Sequence, residues 1–197
     1  MNTLRRVAVY CGSSLGGHPA YGEAAKAMGT AIAKRGMGLV YGGAARGTMG
    51  LVADAALTAG GEVIGVIPHG LVALEVAHEG LTRRIDVESL HERKARMTEL
   101  SDGLAVLPGG AGTLDELFET LTWLQLAVHD KPACLLNVRG YWDGLLAQLD
   151  HCEQEGFLAT PFRNMLGVAT EPDELLDWMA AFEPPPRPAW KGAAPQP

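Results

Sequence analysis

The sequence predicts an α/β protein built on a doubly wound parallel sheet, with helices on both faces in three α/β/α layers. Short apolar runs alternate with stretches of helical periodicity along most of the 197 residues. The runs are continuously apolar, as expected of parallel strands that helices cover on both faces. Glycine-containing turns follow the first five runs, and in such a sheet these turns meet at the carboxyl edge, where ligands bind.

The apolar runs give the predicted strands in chain order. The first five contain the sequences VAVYC, MGLVY, EVIGVI, GLAVL and ACLLNV, and a sixth candidate follows near the C-terminus. The predicted strands are residues 6–11, 37–41, 62–67, 103–107, 133–138 and 165–169. The periodic stretches predict helices at residues 19–35, 47–59, 88–101, 113–128, 142–155 and 172–182. The least regular segment, 68–87, contains a candidate short strand near 84–87.

One domain is predicted for residues 1–183, followed by a tail at 184–197. The chain is 47% hydrophobic and 20% charged, which suffices for one full core at this length. The last 14 residues contain six of the 12 prolines. We therefore expect this tail to form neither helix nor sheet and to be flexible.

Charge argues for a small-molecule partner. The net charge is −7 and the isoelectric point is near 5.3, which disfavours a general nucleic-acid binder because such a protein needs a broad basic face. Basic residues cluster locally instead, at Arg83, Arg84, Arg93, Lys94 and Arg96. A local cluster in an acidic protein suits a small anion.

Cysteine and histidine usage predicts a cytoplasmic protein without a metal or other cofactor. Three cysteines without a CxxC pair fit a reducing compartment. The apolar run at the N-terminus stops at Gly12, too short for a membrane span. "HEGLT" and "HERKA" begin like a zinc motif but lack its second histidine.

Two glycine-rich turns, "YGGAARGT" and "LPGGAGT", each join a strand to a helix. The second can bind an anion through the backbone N–H groups of Gly109, Gly110, Ala111 and Gly112 and the hydroxyl of Thr113. A tight corner that needs small residues explains a single turn equally well. Two similar turns at one sheet edge favour ligand binding.

The absence of two known phosphate-binding motifs limits the class of ligand that the turns could bind. The dinucleotide fingerprint GxGxxG does not follow the first strand, and no acid ends the second. "GGAARGT" resembles the triphosphate-binding loop but lacks its lysine. A single phosphate, as in a nucleoside monophosphate or sugar phosphate, therefore fits better than NAD or ATP.

Glu116 has two interpretations. Thr113 and Glu116 form the T-x-x-E pattern of a capping box, which would stabilise the helix by roughly 1 kcal/mol. A carboxylate near a helix N-terminus also stays ionised, which suits a base or nucleophile. In the preceding helix, Glu92 is expected to pair with Arg96, and Arg93 is the basic residue expected to point inward and meet Glu116 or a phosphate.

The segments "HERKARM" and "LPGGAGTLDELFETL", with "VAVYCGSS" and "GLVYGGAARGTMGLVADAAL", closely resemble the LONELY GUY family of cytokinin-activating phosphoribohydrolases. The resemblance covers roughly residues 5–180. It implies a Rossmann-like homodimer that hydrolyses the N-glycosidic bond of nucleoside 5′-monophosphates, including isopentenyladenosine monophosphate and AMP, to free base and ribose 5-phosphate. Some relatives carry an older label of lysine decarboxylase, but no lysine here has a pattern typical of pyridoxal phosphate binding.

The resemblance implies that Arg93 and Glu116 are catalytic. It leaves open whether the carboxylate stabilises charge on the ribose, activates water or attacks C1′. The residues expected to contact substrate are Ser14, Gly43, Glu79, Lys94, Met97, Gly109, Gly110, Ala111, Gly112, Thr113 and Thr122. The rival hypothesis is a non-catalytic carrier of a nucleotide or phosphorylated cofactor, which needs the glycine turn but not Glu116.

Overall fold

The computed structural model describes residues 3–72 and 77–186. Within them, seven parallel strands form one sheet. The strands are β1 (Arg6–Tyr10), β2 (Gly38–Tyr41), β3 (Val63–Pro68), β4 (Arg83–Val87), β5 (Gly103–Val106), β6 (Ala133–Leu136) and β7 (Leu166–Ala169). Their order across the sheet is β4-β3-β2-β1-β5-β6-β7. The predicted doubly wound parallel α/β class is confirmed.

The helices connect successive strands and cover both faces of the sheet. They are α1 (Pro19–Lys34), α2 (Gly47–Thr58), α3 (His69–Val72), α4 (Leu90–Leu100), α5 (Ala111–Gln125), α6 (Asp143–Gln154), α7 (Thr160–Arg163) and α8 (Pro172–Ala181). The strand expected near 84–87 is the edge strand β4, and the short helices α3 and α7 were not predicted. Most of the predicted tail at 184–197 lies outside the described residues.

Two apolar layers hold the helices to the sheet. On one face, Met28 of α1, Val52 of α2 and Leu175 of α8 pack against the strands. On the other face, Met97 of α4 and Leu117 of α5 do so. Because β1, β2, β3, β5 and β6 are buried on both sides, their sequences are apolar without alternation, which explains why these strands could be recognised from the sequence.

The order of the strands creates a crevice between β1 and β5. From β1 the chain adds β2, β3 and β4 on one side, and then returns to pair β5 with the other side of β1. The loops after β1 and β5 therefore leave the sheet in opposite directions. In open α/β sheets, a crevice forms at the carboxyl ends of two such strands.

No helix in the described ranges 3–72 and 77–186 is long and apolar enough to cross a membrane.

Candidate active site

A small cavity, the inner cavity, lies in this crevice and has a volume of about 210 Å³. The end of β1, the turn after β2, α2, α4 and the start of α5 all contribute to it. Its lining residues are Val9, Tyr10, Cys11, Gly12, Ser13, Gly42, Met49, Arg93, Gly110, Ala111, Gly112, Thr113 and Glu116. Both residues predicted to be catalytic therefore face one cavity, together with most of the second glycine turn.

Arg93 reaches the inner cavity from α4 and is held there by backbone carbonyls. Its Nε donates to the carbonyl of Val66 and its Nη2 to that of Gly42, both at 3.2 Å. The remaining nitrogen, Nη1, lies 4.0 Å from Oε1 of Glu116. Two sides of the guanidinium are thus fixed by β3 and the turn after β2, and the third side faces the carboxylate. The prediction that Arg93 points inward is confirmed.

Gly42 makes room for that guanidinium. A Cβ on Gly42 would lie 1.9 Å from Nη2 of Arg93. Its neighbour Gly43 has a φ of +77°, and a Cβ there would lie 3.1 Å from Cβ of Ile67. The sequence pattern predicts Gly43 as the ligand contact, whereas Gly42 lines the inner cavity and Gly43 shapes the turn.

The capping-box interpretation of Glu116 is wrong. Helix α5 begins at Ala111, with Gly110 as its N-cap and no side-chain cap. Thr113 is therefore the third helical residue, and its Oγ1 would lie only 2.2 Å from a Cβ on Gly109. Glycine is tolerated as an N-cap, so the helix starts before the threonine. Glu116 lies in the second turn of the helix, 12% exposed, and faces the inner cavity.

A capping arrangement occurs on α4 instead. Ser89 is the N-cap, and its Oγ accepts the N–H of Glu92 at 3.1 Å. The Glu92 carboxylate in turn accepts the backbone N–H of Glu88 at 2.7 Å. Because this carboxylate is used at the helix N-terminus, the predicted pair with Arg96 is wrong, and Arg96 pairs with Glu99. These bonds fix the start of the helix that carries the inward arginine.

Burial and the nearby Glu116 charge keep two inner-cavity residues, Cys11 and Tyr10, in their protonated forms. Burial raises the pKa of the Cys11 thiol to about 12, the Thr48 hydroxyl lowers it, and the Glu116 carboxylate raises it further. Burial likewise raises the pKa of Tyr10 to about 12, and the Glu116 charge acts in the same direction. Neither group is therefore a ready nucleophile at neutral pH. The ionisable pair at the cavity is Arg93 and Glu116.

The turn before α5 is open to a ligand. A Cβ on Gly110 or Gly112 would have no neighbour within 4 Å. The first intrahelical bond is donated by Leu114 to the carbonyl of Gly110, so the amides before Leu114 have no partner inside the helix. Gly110, Ala111, Gly112 and Thr113 line the inner cavity with these amides at the helix N-terminus, where an anion is stabilised.

The similar turn before α2 is a corner. Its amides are used within the protein, because Thr48 donates to the carbonyl of Ser14 at 3.4 Å and Met49 donates to that of Gly12 at 3.2 Å. Gly47 has a φ of +62°, and a Cβ there would lie 2.3 Å from the carbonyl carbon of Ser13. This helix start therefore packs against the loop after β1, so its amides at Thr48 and Met49 are not available to a ligand.

A second, outer cavity of about 610 Å³ adjoins the inner one. The two share Gly12, Ser13 and Gly110. Ser14 and Gly109, both predicted to contact substrate, line the outer cavity, which also includes Arg139 and Tyr141.

Lys94 contacts protein carboxylates. Its side chain is 8% exposed, and its Nζ lies 2.9 Å from Oδ2 of Asp115 and 3.2 Å from Oε1 of Glu119. Sequence reasoning expected it to point outward and to touch substrate. It instead joins α4 to α5 beside the Arg93–Glu116 pair, and it lines neither cavity.

The remaining predicted contacts lie outside both cavities. Met97 is 1% exposed and belongs to the apolar layer beneath the sheet. Thr122 is exposed, and its hydroxyl donates to the carbonyl of Phe118. Glu79 is exposed in the turn before β4.

Sequence reasoning missed seven residues that line the inner cavity, which are Val9, Tyr10, Cys11, Gly12, Ser13, Gly42 and Met49. Gly12 and Ser13 belong to "CGSS" after β1, where only Ser14 was selected, and Gly42 precedes the selected Gly43. Their signal was a glycine at the end of a strand. Met49 had none, because it is an apolar residue within a helix.

The described residues give no support for metal or lysine chemistry at this site. No group of three or more His, Cys, Asp or Glu side chains in residues 3–72 and 77–186 could hold a metal ion. Lys26, Lys34, Lys94 and Lys131 are the lysines in the described part of the chain, and none lines either cavity.

A doubly wound parallel sheet, with a cavity at its switch point lined by an arginine, a glutamate and an open helix N-terminus, defines a Rossmann-like protein. A family model described as "Possible lysine decarboxylase" matches residues 49–179. The chain belongs to this family, the LOG family, as the resemblance predicted.

Named relatives cover most of the chain. It is 46% identical over 186 residues to the "Probable cytokinin riboside 5'-monophosphate phosphoribohydrolase LOGL5" of Oryza sativa subsp. japonica, covering 94% of this chain and 76% of the relative. It is also 46% identical over 170 residues to the cytokinin riboside 5'-monophosphate phosphoribohydrolase of Rhodococcoides fascians, covering 86% of each.

A solved structure shares the fold. The molybdenum cofactor binding protein of Rippkaea orientalis matches with a TM-score of 0.66 over 87% of this chain and 93% of that chain. At 22% identity, this likeness shows the fold alone.

Proposed function

We propose that the protein hydrolyses the N-glycosidic bond of nucleoside 5′-monophosphates, releasing the free base and ribose 5-phosphate. Cytokinin ribotides and AMP are the proposed substrates. The observation that carries the proposal is the pair formed by Arg93 and Glu116, whose charged groups lie 4.0 Å apart across a cavity bounded by an open helix N-terminus. The names of the relatives support a nucleotide phosphoribohydrolase activity.

The proposed chemistry places the anomeric carbon of the ribose in the inner cavity. Departure of the base builds positive charge on C1′ and O4′, which the Glu116 carboxylate stabilises from its fixed position on α5. A water molecule forms the new C1′–O bond as the C1′–N bond breaks; one of its protons stays in the product hydroxyl and the other is transferred to the departing base. Arg93 keeps its orientation through two carbonyls and holds the carboxylate in place. The phosphate, bound at the α5 turn, supplies binding energy away from the reacting bond.

A carrier function is the alternative, and Glu116 discriminates between the two. A carrier needs the open turn but gains nothing from a buried carboxylate beside the sugar. We therefore expect Glu116→Gln to abolish release of base while nucleotide binding remains. Glu119→Gln is the matched control, since Glu119 lies on the same helix outside the inner cavity and pairs with Lys94.

The test is a chromatographic assay that offers AMP, CMP, GMP and isopentenylated AMP in parallel. Wild-type protein and Glu119→Gln should release base, and Glu116→Gln should reduce the rate by at least about 10³-fold. Binding of AMP is measured separately by calorimetry. Full turnover by Glu116→Gln would refute its role, and binding without turnover by the wild type would establish the carrier.

We also propose a homodimer that forms through the outer face of α5. Phe118 on this helix and Leu126 at its C-cap are 43% and 42% exposed, and exposed apolar side chains on one face mark an interaction surface. Thr122 lies on the same face, so a substrate contact by Thr122 would have to reach the partner's site. Sedimentation should show a dimer for the wild type and a monomer for Phe118→Asp; a monomeric wild type would contradict the proposal.

A further inference from the structure

The turn between β6 and α6 is pinned to the glycine turn of the site. The Tyr141 hydroxyl donates to the carbonyl of Gly109 at 2.6 Å. Asn137 closes the same turn, because its Oδ1 accepts the N–H of Trp142 and its Nδ2 donates to Asp143, both at 2.8 Å. This segment is therefore a fixed part of the outer cavity wall.

Arg139 occupies the tip of this turn. It adopts a left-handed conformation, with φ 57° and ψ 29°, inside the short 3-10 turn Val138–Gly140. Its side chain is exposed and lines the outer cavity. Among the described residues, its guanidinium has neither a carboxylate nor a hydrogen-bond acceptor as partner. The five N–H donors of an arginine match a phosphate, and these are available.

The inner cavity is too small for a whole nucleotide. Its volume of about 210 Å³ lies below the roughly 300 Å³ at which pockets for small molecules begin. A substrate whose sugar lies against the Arg93–Glu116 pair must therefore continue beyond that cavity. The shared residues Gly12, Ser13 and Gly110 lead directly into the outer cavity.

The charges of the two cavities differ. Glu116 lines the inner cavity, so an anion placed deep inside would be repelled by its carboxylate. The outer cavity has no carboxylate among its described lining residues and contains Arg139, His18 and the hydroxyls of Ser13 and Ser14. A phosphate dianion is therefore favoured on the outer side, and a developing sugar cation on the inner side.

We infer that Arg139 binds the 5′-phosphate of the substrate, so that the phosphate lies in the outer cavity and the scissile bond in the inner cavity. This inference rests on the proposed function for the identity of the substrate. It sets the direction in which the nucleotide enters the crevice, and it places the phosphate at the outer end of the α5 turn, at Gly110, which lines both cavities. The opposite orientation would place the base against Tyr141 in the outer cavity.

The test measures binding of the two products separately by calorimetry on the full-length chain. Ribose 5-phosphate and adenine are each titrated into wild-type protein, Arg139→Gln and Arg46→Gln. Arg46 is a matched control because it is an exposed arginine next to α2 that lines neither cavity. Arg139→Gln should weaken ribose 5-phosphate about tenfold and leave adenine unchanged. Arg46→Gln should change neither.

A second variant separates binding from folding. Arg139→Gly relieves the positive φ, so it should be no less stable than the wild type while binding ribose 5-phosphate as weakly as Arg139→Gln. Unchanged affinity for ribose 5-phosphate in both variants would overturn the inference, as would a loss of adenine affinity alone or a wild type that does not bind ribose 5-phosphate. Because these titrations need no turnover, a wild type that binds ribose 5-phosphate but releases no base refutes only the proposed function.

Discussion

The substitution Gly42→Ala tests whether the exact placement of Arg93 matters, without touching either residue of the pair. The φ of Gly42 lies outside the left-handed region, so alanine is free of backbone strain at this position. The added Cβ would lie 1.9 Å from Nη2 of Arg93 and 3.1 Å from Sδ of Met49. The first contact is the end of a flexible side chain, so the protein should fold and the guanidinium should move.

The size of that movement follows from the distances. An ordinary contact begins near 3.4 Å, so Nη2 must retreat from 1.9 Å by about 1.5 Å. It then loses its 3.2 Å bond to the carbonyl of Gly42 and its position near Glu116. A misplacement of about 1 Å at a reacting centre can cost about 10²-fold in rate. The lost hydrogen bond should lower the free energy of unfolding by only about 1–2 kcal/mol.

Release of adenine from AMP gives the rate, and urea denaturation gives the stability. We expect kcat/KM to fall about 10²-fold for Gly42→Ala while the protein stays folded. Gly144→Ala is the control for a glycine-to-alanine change as such, since Gly144 lies in α6 and a Cβ there meets nothing within 4 Å. An unchanged kcat/KM for Gly42→Ala would refute the claim that the backbone carbonyls position the arginine for catalysis.

Two further predictions concern stability. Lys94→Met should lower the free energy of unfolding by about 1–2 kcal/mol, because Asp115 and Glu119 lose their shared partner. The KM for AMP should stay unchanged in this variant. A rise in KM would show that Lys94 contacts the substrate after all. Stability should also fall with alkaline pH. Burial raises the pKa of the Cys134 thiol from 9.0 to about 12, so the unfolded chain releases this proton first. This contribution to stability is complete below pH 9.0 and is lost as the pH rises towards about 12. The urea midpoint of Cys134→Ala should therefore fall less steeply with pH over this range than that of the wild type. Equal slopes for the two proteins would contradict the assignment to Cys134.

Most of the sheet could be predicted from the sequence because β1, β2, β3, β5 and β6 are buried on both faces and have continuously apolar sequences. The edge strand β4 is largely exposed and contains three charged residues, so the sequence offered it only as a candidate near 84–87. The order of the strands was not predicted. It depends on which side of β1 each crossover packs, and no local pattern in the sequence records that choice.

The start of α5 shows why a local motif was misleading. "TLDE" satisfies the spacing of a capping box, but the helix already begins at Ala111 because Gly110 serves as its N-cap. The threonine is then buried against Gly109, a contact made by the tight turn. The other capping residues, Ser89 and Glu92, follow the same spacing on α4. Spacing alone does not distinguish the two cases, because what decides is the residue at which the preceding turn ends and the helix begins.

The partners of Arg93 were beyond sequence reasoning for a related reason. The carbonyls of Gly42 and Val66 are 51 and 27 residues away in the chain. Every residue has a carbonyl, so nothing in the sequence marks these two as acceptors. The clue that exists is Gly42 itself, but a glycine after a strand also fits a turn, which is the role that its neighbour Gly43 has.

The two glycine turns share the letters GGA and GT, yet they serve different purposes, and their neighbours explain the difference. The turn before α2 lies against the loop after β1, whose carbonyls at Gly12 and Ser14 accept its amides. The turn before α5 lies on the opposite side of that loop, and its glycines Gly110 and Gly112 face open space. The loop after β1 thus accepts the amides at the start of α2 and leaves those at the start of α5 without a partner in that loop. The anion site that we propose at this edge therefore depends on the strand order, which puts β1 between the two turns, as much as on the glycine motif itself.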